Sequence, residues 1–99
     1  MKKPIKVGVC KGRHEMPCNL FVFDNTIVDP TNVKEIEEEA MNFFKANFSD
    51  KPCNTIEIYI TGLTVAVIAT IKVATKYFRN VIAMHYDMKK DCYYMQSIK

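Results

Sequence analysis

Ninety-nine residues suffice for one compact domain and not for two, so residues 1–99 read as a single domain. The chain is 48% hydrophobic, 11% aromatic and 25% charged, a globular composition that excludes a disordered tail, a collagen-like repeat and a disulfide knot. Net charge is +3 and comes in blocks, with basic residues dominating 1–19 and 58–99 and acids dominating 29–57. A charge of that size argues against a chain built to grip duplex DNA.

Ile5–Cys10 (IKVGVC) is short and β-branched, with Ile5, Val7 and Val9 on one face, and predicts a strand. Lys11–Asn19 is a polar loop. Leu20–Phe23 predicts a second strand, stopped by the turn pair Asp24-Asn25. Asp29-Pro30 opens a helix over residues 30–48, with Asp29 or Thr31 as its N-cap. Val33, Ile36, Ala40, Phe43, Phe44 and Phe48 recur there at helical spacing. Glu35, Glu37, Glu38 and Glu39 sit toward the helix start, where the macrodipole favours anions, and read as a solvated face.

Thr55–Thr61 (TIEIYIT) alternates Ile56, Ile58 and Ile60 against Glu57 and Tyr59, which predicts a third strand ended by Gly62. Residues 63–78 predict a second helix. Its first half is β-branched, but Lys72, Thr75, Lys76 and Arg79 form one polar stripe at helical spacing. The apolar run Leu63–Ile71 is far short of the ~20 residues a bilayer span needs, so no membrane contact is expected. Val81–Asp87 predicts a fourth strand, and Cys92–Ser97 pairs back on it through the turn Met88–Asp91.

The order β-β-α-β-α-β-β predicts an α/β fold, a small Rossmann-like two-layer sandwich. Strands joined through helices lie parallel with right-handed crossovers, so central parallel strands are expected, flanked by antiparallel edge strands. Both helices then cover one face. The other is expected to present Glu57, Tyr59 and His85, an aromatic surface that predicts a homodimer.

Ligands of open α/β sheets bind beyond the carboxyl ends of the parallel strands. Two loops leave that edge. In Thr61-Gly62-Leu63-Thr64 a strand becomes a helix, and the free N–H groups of a helix start attract phosphate; a plain N-cap by Thr61 or Thr64 is the competing reading. In Lys11-Gly12-Arg13-His14-Glu15, Arg13 suits a bidentate phosphate contact, Lys11 adds a point charge, and His14 suits a general base oriented by Glu15. A solvated charged loop is the alternative. His85 reads as a packed strand histidine, while Tyr86, Tyr93 and Tyr94 suit either base stacking or sheet packing.

Cys10, Cys18, Cys53 and Cys92 form no Cys-x-x-Cys pair, and Cys10-x3-His14-x3-Cys18 is no standard zinc spacing, so neither metal nor cofactor is expected. The start Met1-Lys2-Lys3-Pro4 leads into no secretory h-region, which predicts reduced thiols in a cytoplasm. Gly-x-Ser-x-Gly is absent, which excludes that class of serine hydrolase.

The strand–Thr-Gly-x-Thr–helix segment, from Thr55 to Asp87, resembles the CARF-like domains of CRISPR-associated proteins and their small ring-nuclease-like relatives. It covers about a third of the chain, with Leu63 where many of those domains carry a second glycine and with no lysine before Lys72. The resemblance implies homodimers that bind cyclic oligoadenylates at the carboxyl edge, with Thr61, Gly62 and Thr64 as ligand contacts. The Lys11–Glu15 loop also looks like that of short phage proteins, which implies a host cytoplasm. The expected function is therefore binding of a phosphate-bearing small molecule, of the cyclic-nucleotide type, with sequestration or cleavage as its consequence in phage–host defence. A small interaction module acting on a partner protein is the alternative, and RNA binding across the aromatic strands is disfavoured by the mild charge.

Overall fold

The structure, a computed structural model, describes residues 4–12, 16–24, 27, 29–48 and 53–99. Its elements are β1 (Ile5–Cys10), β2 (Leu20–Phe23), α1 (Val33–Phe48), β3 (Cys53–Tyr59), α2 (Thr64–Tyr77), β4 (Phe78–Asp87) and β5 (Cys92–Ser97). One five-stranded sheet runs in the order β2-β1-β3-β4-β5. The β-β-α-β-α-β-β order and the parallel centre are as the pattern predicts, and β5 is the antiparallel edge.

The other edge differs from expectation. β2 runs parallel to β1, with Val7 opposite Leu20 and Cys10 opposite Phe23. A tight hairpin would have required only two to five connecting residues. The segment between them, Lys11–Asn19, is long enough to carry the chain back along β1 before β2 begins. Four strands therefore end at one edge of the sheet.

From β2 to β3 the chain passes over β1, and from β3 to β4 it steps on in the same direction. Right-handed crossovers then put α1 and α2 on the same face, where they pack together. Under them lie Val7, Val9, Ile56, Ile58, Val81 and Ala83, all buried. The α1 stripe Ile36, Ala40, Phe44 and Phe48 meets them at intervals of four residues. Small residues of α2, Ala66, Ala69 and Ala74, let it approach closely. Phe44 is the hub, its ring 5.6 Å from Phe48, 5.8 Å from Tyr77 and 6.2 Å from Phe78. The one buried polar side chain among the described residues, Thr70, donates its hydroxyl to the Ala66 carbonyl at 2.8 Å.

The helix boundaries show where local chemistry acts. Asn32, not Asp29 or Thr31, caps α1: its Oδ1 accepts the Glu35 N–H at 3.2 Å, and its Nδ2 donates to the Glu35 carboxylate at 3.0 Å. The Asn32 backbone N–H goes to the Asp29 carbonyl at 3.1 Å, so the return bond from Glu35 is to the Asn32 side chain and not to its backbone as in a capping box. Asp29 instead makes the turn before it, accepting the Thr31 N–H at 3.0 Å and hydroxyl at 2.6 Å. Those bonds hold the Asp29 carboxyl below its usual range. At the far end of the chain, Lys99 Nζ donates to the carbonyls of Thr75 (2.6 Å) and Phe78 (3.0 Å), a cation at the C-terminus of α2. No helix among the described residues is long and apolar enough to cross a membrane.

Candidate functional site

Because β1, β2 and β3 run the same way, Cys10, Phe23 and Tyr59 end at one edge. Beyond them lies a cavity of about 340 Å³, lined by Cys10, Lys11, Phe23, Asp24, Ile27, Gly62 and Leu63. The loop after β1 and the start of α2 thus share one cavity. Arg13, His14 and Glu15 lie outside the described residues.

Each wall is set by a local constraint. The Lys11 N–H donates to the Phe23 carbonyl at 3.2 Å, tying the loop after β1 to the end of β2. The Lys11 ammonium stands 4.0 Å from the Asp24 carboxylate, both side chains about two-thirds exposed, so solvent screens the pair. Thr61 stitches β1 to the end of β3: its hydroxyl donates to the Cys10 carbonyl at 2.8 Å and accepts the Cys10 N–H at 3.4 Å. With its proton used, Thr61 can only accept from a ligand. Neither Thr61 nor Thr64 lines the cavity.

Gly62 adopts φ +80°, the left-handed region, and a Cβ there would stand 2.7 Å from the Cys10 sulfur. The turn therefore needs glycine twice, for its dihedral and for its contact. It leads into α2, whose N-cap residue is Leu63, with no side-chain cap bond. The competing reading of Thr61 or Thr64 as an ordinary N-cap does not hold. In its first turn the Ala66 N–H donates to the Leu63 carbonyl at 3.0 Å, which leaves the N–H groups of Thr64 and Val65 without an intrahelical acceptor. Burial pushes the Cys10 thiol up, against an opposing hydrogen bond from the Leu63 backbone.

A scan against family models and searches of curated proteins and solved structures returned no match to this chain.

Other residues singled out in the sequence sit elsewhere. His85 is on the helix-covered side of the sheet, in line with Val81 and Ala83, and not on the Tyr59 face as expected. It stacks on Tyr94 at 5.2 Å, and its Nε2 pairs with Gln96 Oε1 at 2.8 Å. Tyr59 faces away from the helices but is only 3% exposed, because Tyr93 packs edge-on against it at 5.0 Å. Tyr86 joins the same cluster, 5.4 Å from Tyr93, and donates its hydroxyl to Asp91. Asp87 accepts the N–H groups of Lys89 (2.9 Å) and Lys90 (3.3 Å) and so shapes the β4–β5 turn. A second cavity, of about 720 Å³, includes Lys6, Cys18 and Glu57 in its lining. Among the described residues no group of His, Cys, Asp or Glu is placed to hold a metal ion.

The sequence reading missed Phe23, Asp24 and Ile27 as cavity walls. They reach the site only because β2 is parallel, and the length of the Lys11–Asn19 loop was the one available signal for that.

Proposed function

We propose that the chain binds a small phosphate-bearing ligand of nucleotide type at the carboxyl edge of its sheet. One observation carries this reading: Lys11 and the Gly62-Leu63 start of α2 line a single cavity. A helix start supplies fixed N–H groups and the positive end of a dipole, and Lys11 adds mobile charge. Asp24 in the same cavity selects among anions, since a carboxylate repels bare phosphate and accepts from a sugar hydroxyl. A volume of about 340 Å³ is at the lower end for small-molecule sites and fits one nucleotide unit, so a cyclic oligonucleotide would place one unit here and the rest outside. Arg13 is proposed as the second phosphate contact and His14 as the base for any cleavage, both from their place in the loop that begins at Lys11.

Thermal shift with linear nucleotides and cyclic oligoadenylates tests this. A ligand held only by the native state raises stability by about 2.7 kcal/mol at one hundred times its Kd. The expected result is such a rise, reduced in Lys11→Ala and Arg13→Ala by roughly 1.5–3 kcal/mol of binding energy, the scale of a hydrogen bond to a charged group. No rise with any nucleotide at millimolar concentration would sink the proposal. It would favour the interaction-module reading, which rests on the exposed side chains of the β4–β5 hairpin.

A further inference from the structure

β5 is an edge strand: among the described residues, nothing pairs with its outer side. Its backbone alternation follows from the bonds around it. Ile98 N–H donates to the Val81 carbonyl, while Ile60 N–H donates to the Met84 carbonyl, so Met84 bonds toward β3 and Val81 toward β5. Carried along the register, Cys92, Tyr94 and Gln96 bond inward to β4. The N–H and C=O groups of Tyr93, Met95 and Ser97 then point outward, without a ladder partner.

Natural edges are blunted by lysine, proline or a bulge. Cys92–Ser97 (CYYMQS) contains neither charge nor proline, and Tyr94 and Met95 are 55% and 62% exposed. Tyr59, expected from the sequence to carry a contact through the flat face, is covered within the chain, whereas the β5 edge is open.

We propose that β5 pairs antiparallel with β5 of a second copy, joining two sheets into one across a two-fold axis at Met95. The position of the axis follows from geometry. A two-fold normal to a continuous sheet pairs residues of the same face, so it passes through a residue, Tyr94 or Met95. Only the outward-bonding set can form the hydrogen-bonded pairs. An axis at Met95 pairs Met95 with itself and Tyr93 with Ser97 in both directions, giving roughly six backbone bonds against about four for an axis at Tyr94. The turn, with Asp87 and Asp91 against Lys89 and Lys90, adds no net charge.

An edge of this length spans about 20 Å. With the exposed Tyr94 and Met95 side chains it buries on the order of 1,000 Å² in total, the size of a weak, reversible interface. The contact lies across the sheet from the cavity at β1 and β2, so it stands or falls separately from nucleotide binding.

Sedimentation of the full chain from about 5 to 500 μM, a range that brackets weak, reversible association, tests the proposal. The wild type is expected to pass from monomer to dimer, and Met95→Lys, which sets like charges against each other on the axis, to stay monomeric with unchanged melting of the monomer. In a Cys92→Ser background, Met95→Cys is expected to give an oxidised dimer with its disulfide mapped to position 95, since Cα atoms of such a pair lie about 5.5 Å apart. A wild type that stays monomeric overturns the proposal and leaves the edge to a foreign strand. Dimerisation of Met95→Lys at wild-type strength, or no disulfide at position 95, overturns it as well.

Discussion

Gly62 ties backbone conformation to the candidate site. Its φ of +80° belongs to the region that L-residues avoid, and a Cβ would meet both the sulfur and the Cβ of Cys10, at 2.7 and 2.9 Å. Gly62→Ala is expected to cost about 1–3 kcal/mol in urea unfolding, the scale of a strained backbone position. Adding Cys10→Ala should recover part of that loss, because it removes the sulfur and leaves the Cβ contact and the strained dihedral. Full recovery would mean that the sulfur contact alone demands glycine.

At the scale of elements, helix starts are decided by which side chain reaches the first amides. α1 has a two-way bond between Asn32 and Glu35, whereas α2 starts at Leu63 without a side-chain cap. Asn32→Ala is expected to lower stability by about 0.5–2 kcal/mol, the usual cost of a lost N-cap. Thr31→Ala should cost less, since Thr31 only completes the turn before the helix. Thermal unfolding of the two variants side by side checks the order. The opposite order would return the cap to Thr31. The contrast between the two helices has a functional side: the uncapped start is the one that faces the cavity.

At the scale of the whole molecule, the open face closes over Tyr59. Burial first, then the neighbouring Glu57 carboxylate, pushes the Tyr59 phenol up to about 12. Burial raises Tyr93 as well, and the hydrogen bond to Asp91 raises Tyr86. A raised pKa means that the folded state holds the proton more tightly than the unfolded chain, where tyrosine titrates near 10. The resulting stability is complete below about pH 10 and is lost as pH rises toward 12. Urea unfolding between pH 9 and 12 should therefore show falling stability, with a shallower fall in Tyr59→Phe, and absorbance titration should find one late-ionising phenol that this variant lacks. Equal slopes in the two proteins would place the effect elsewhere.

Local patterns in the sequence determined the elements themselves. Alternating isoleucines make β3, a four-residue apolar stripe makes α1, and the polar stripe from Lys72 makes α2 a helix despite its β-branched start. These signals are legible because each depends on residues close in sequence. The meeting of Lys11 with Gly62 at one edge was legible too, since right-handed crossovers between parallel strands leave few alternatives. The direction of β2 was not, because a connection of that length permits either return, and pairing with β1 decides between them. With it came Phe23, Asp24 and Ile27 as walls of the cavity. The side of the sheet that holds His85 and the covering of Tyr59 by Tyr93 were likewise decided by register between strands, which tertiary packing sets.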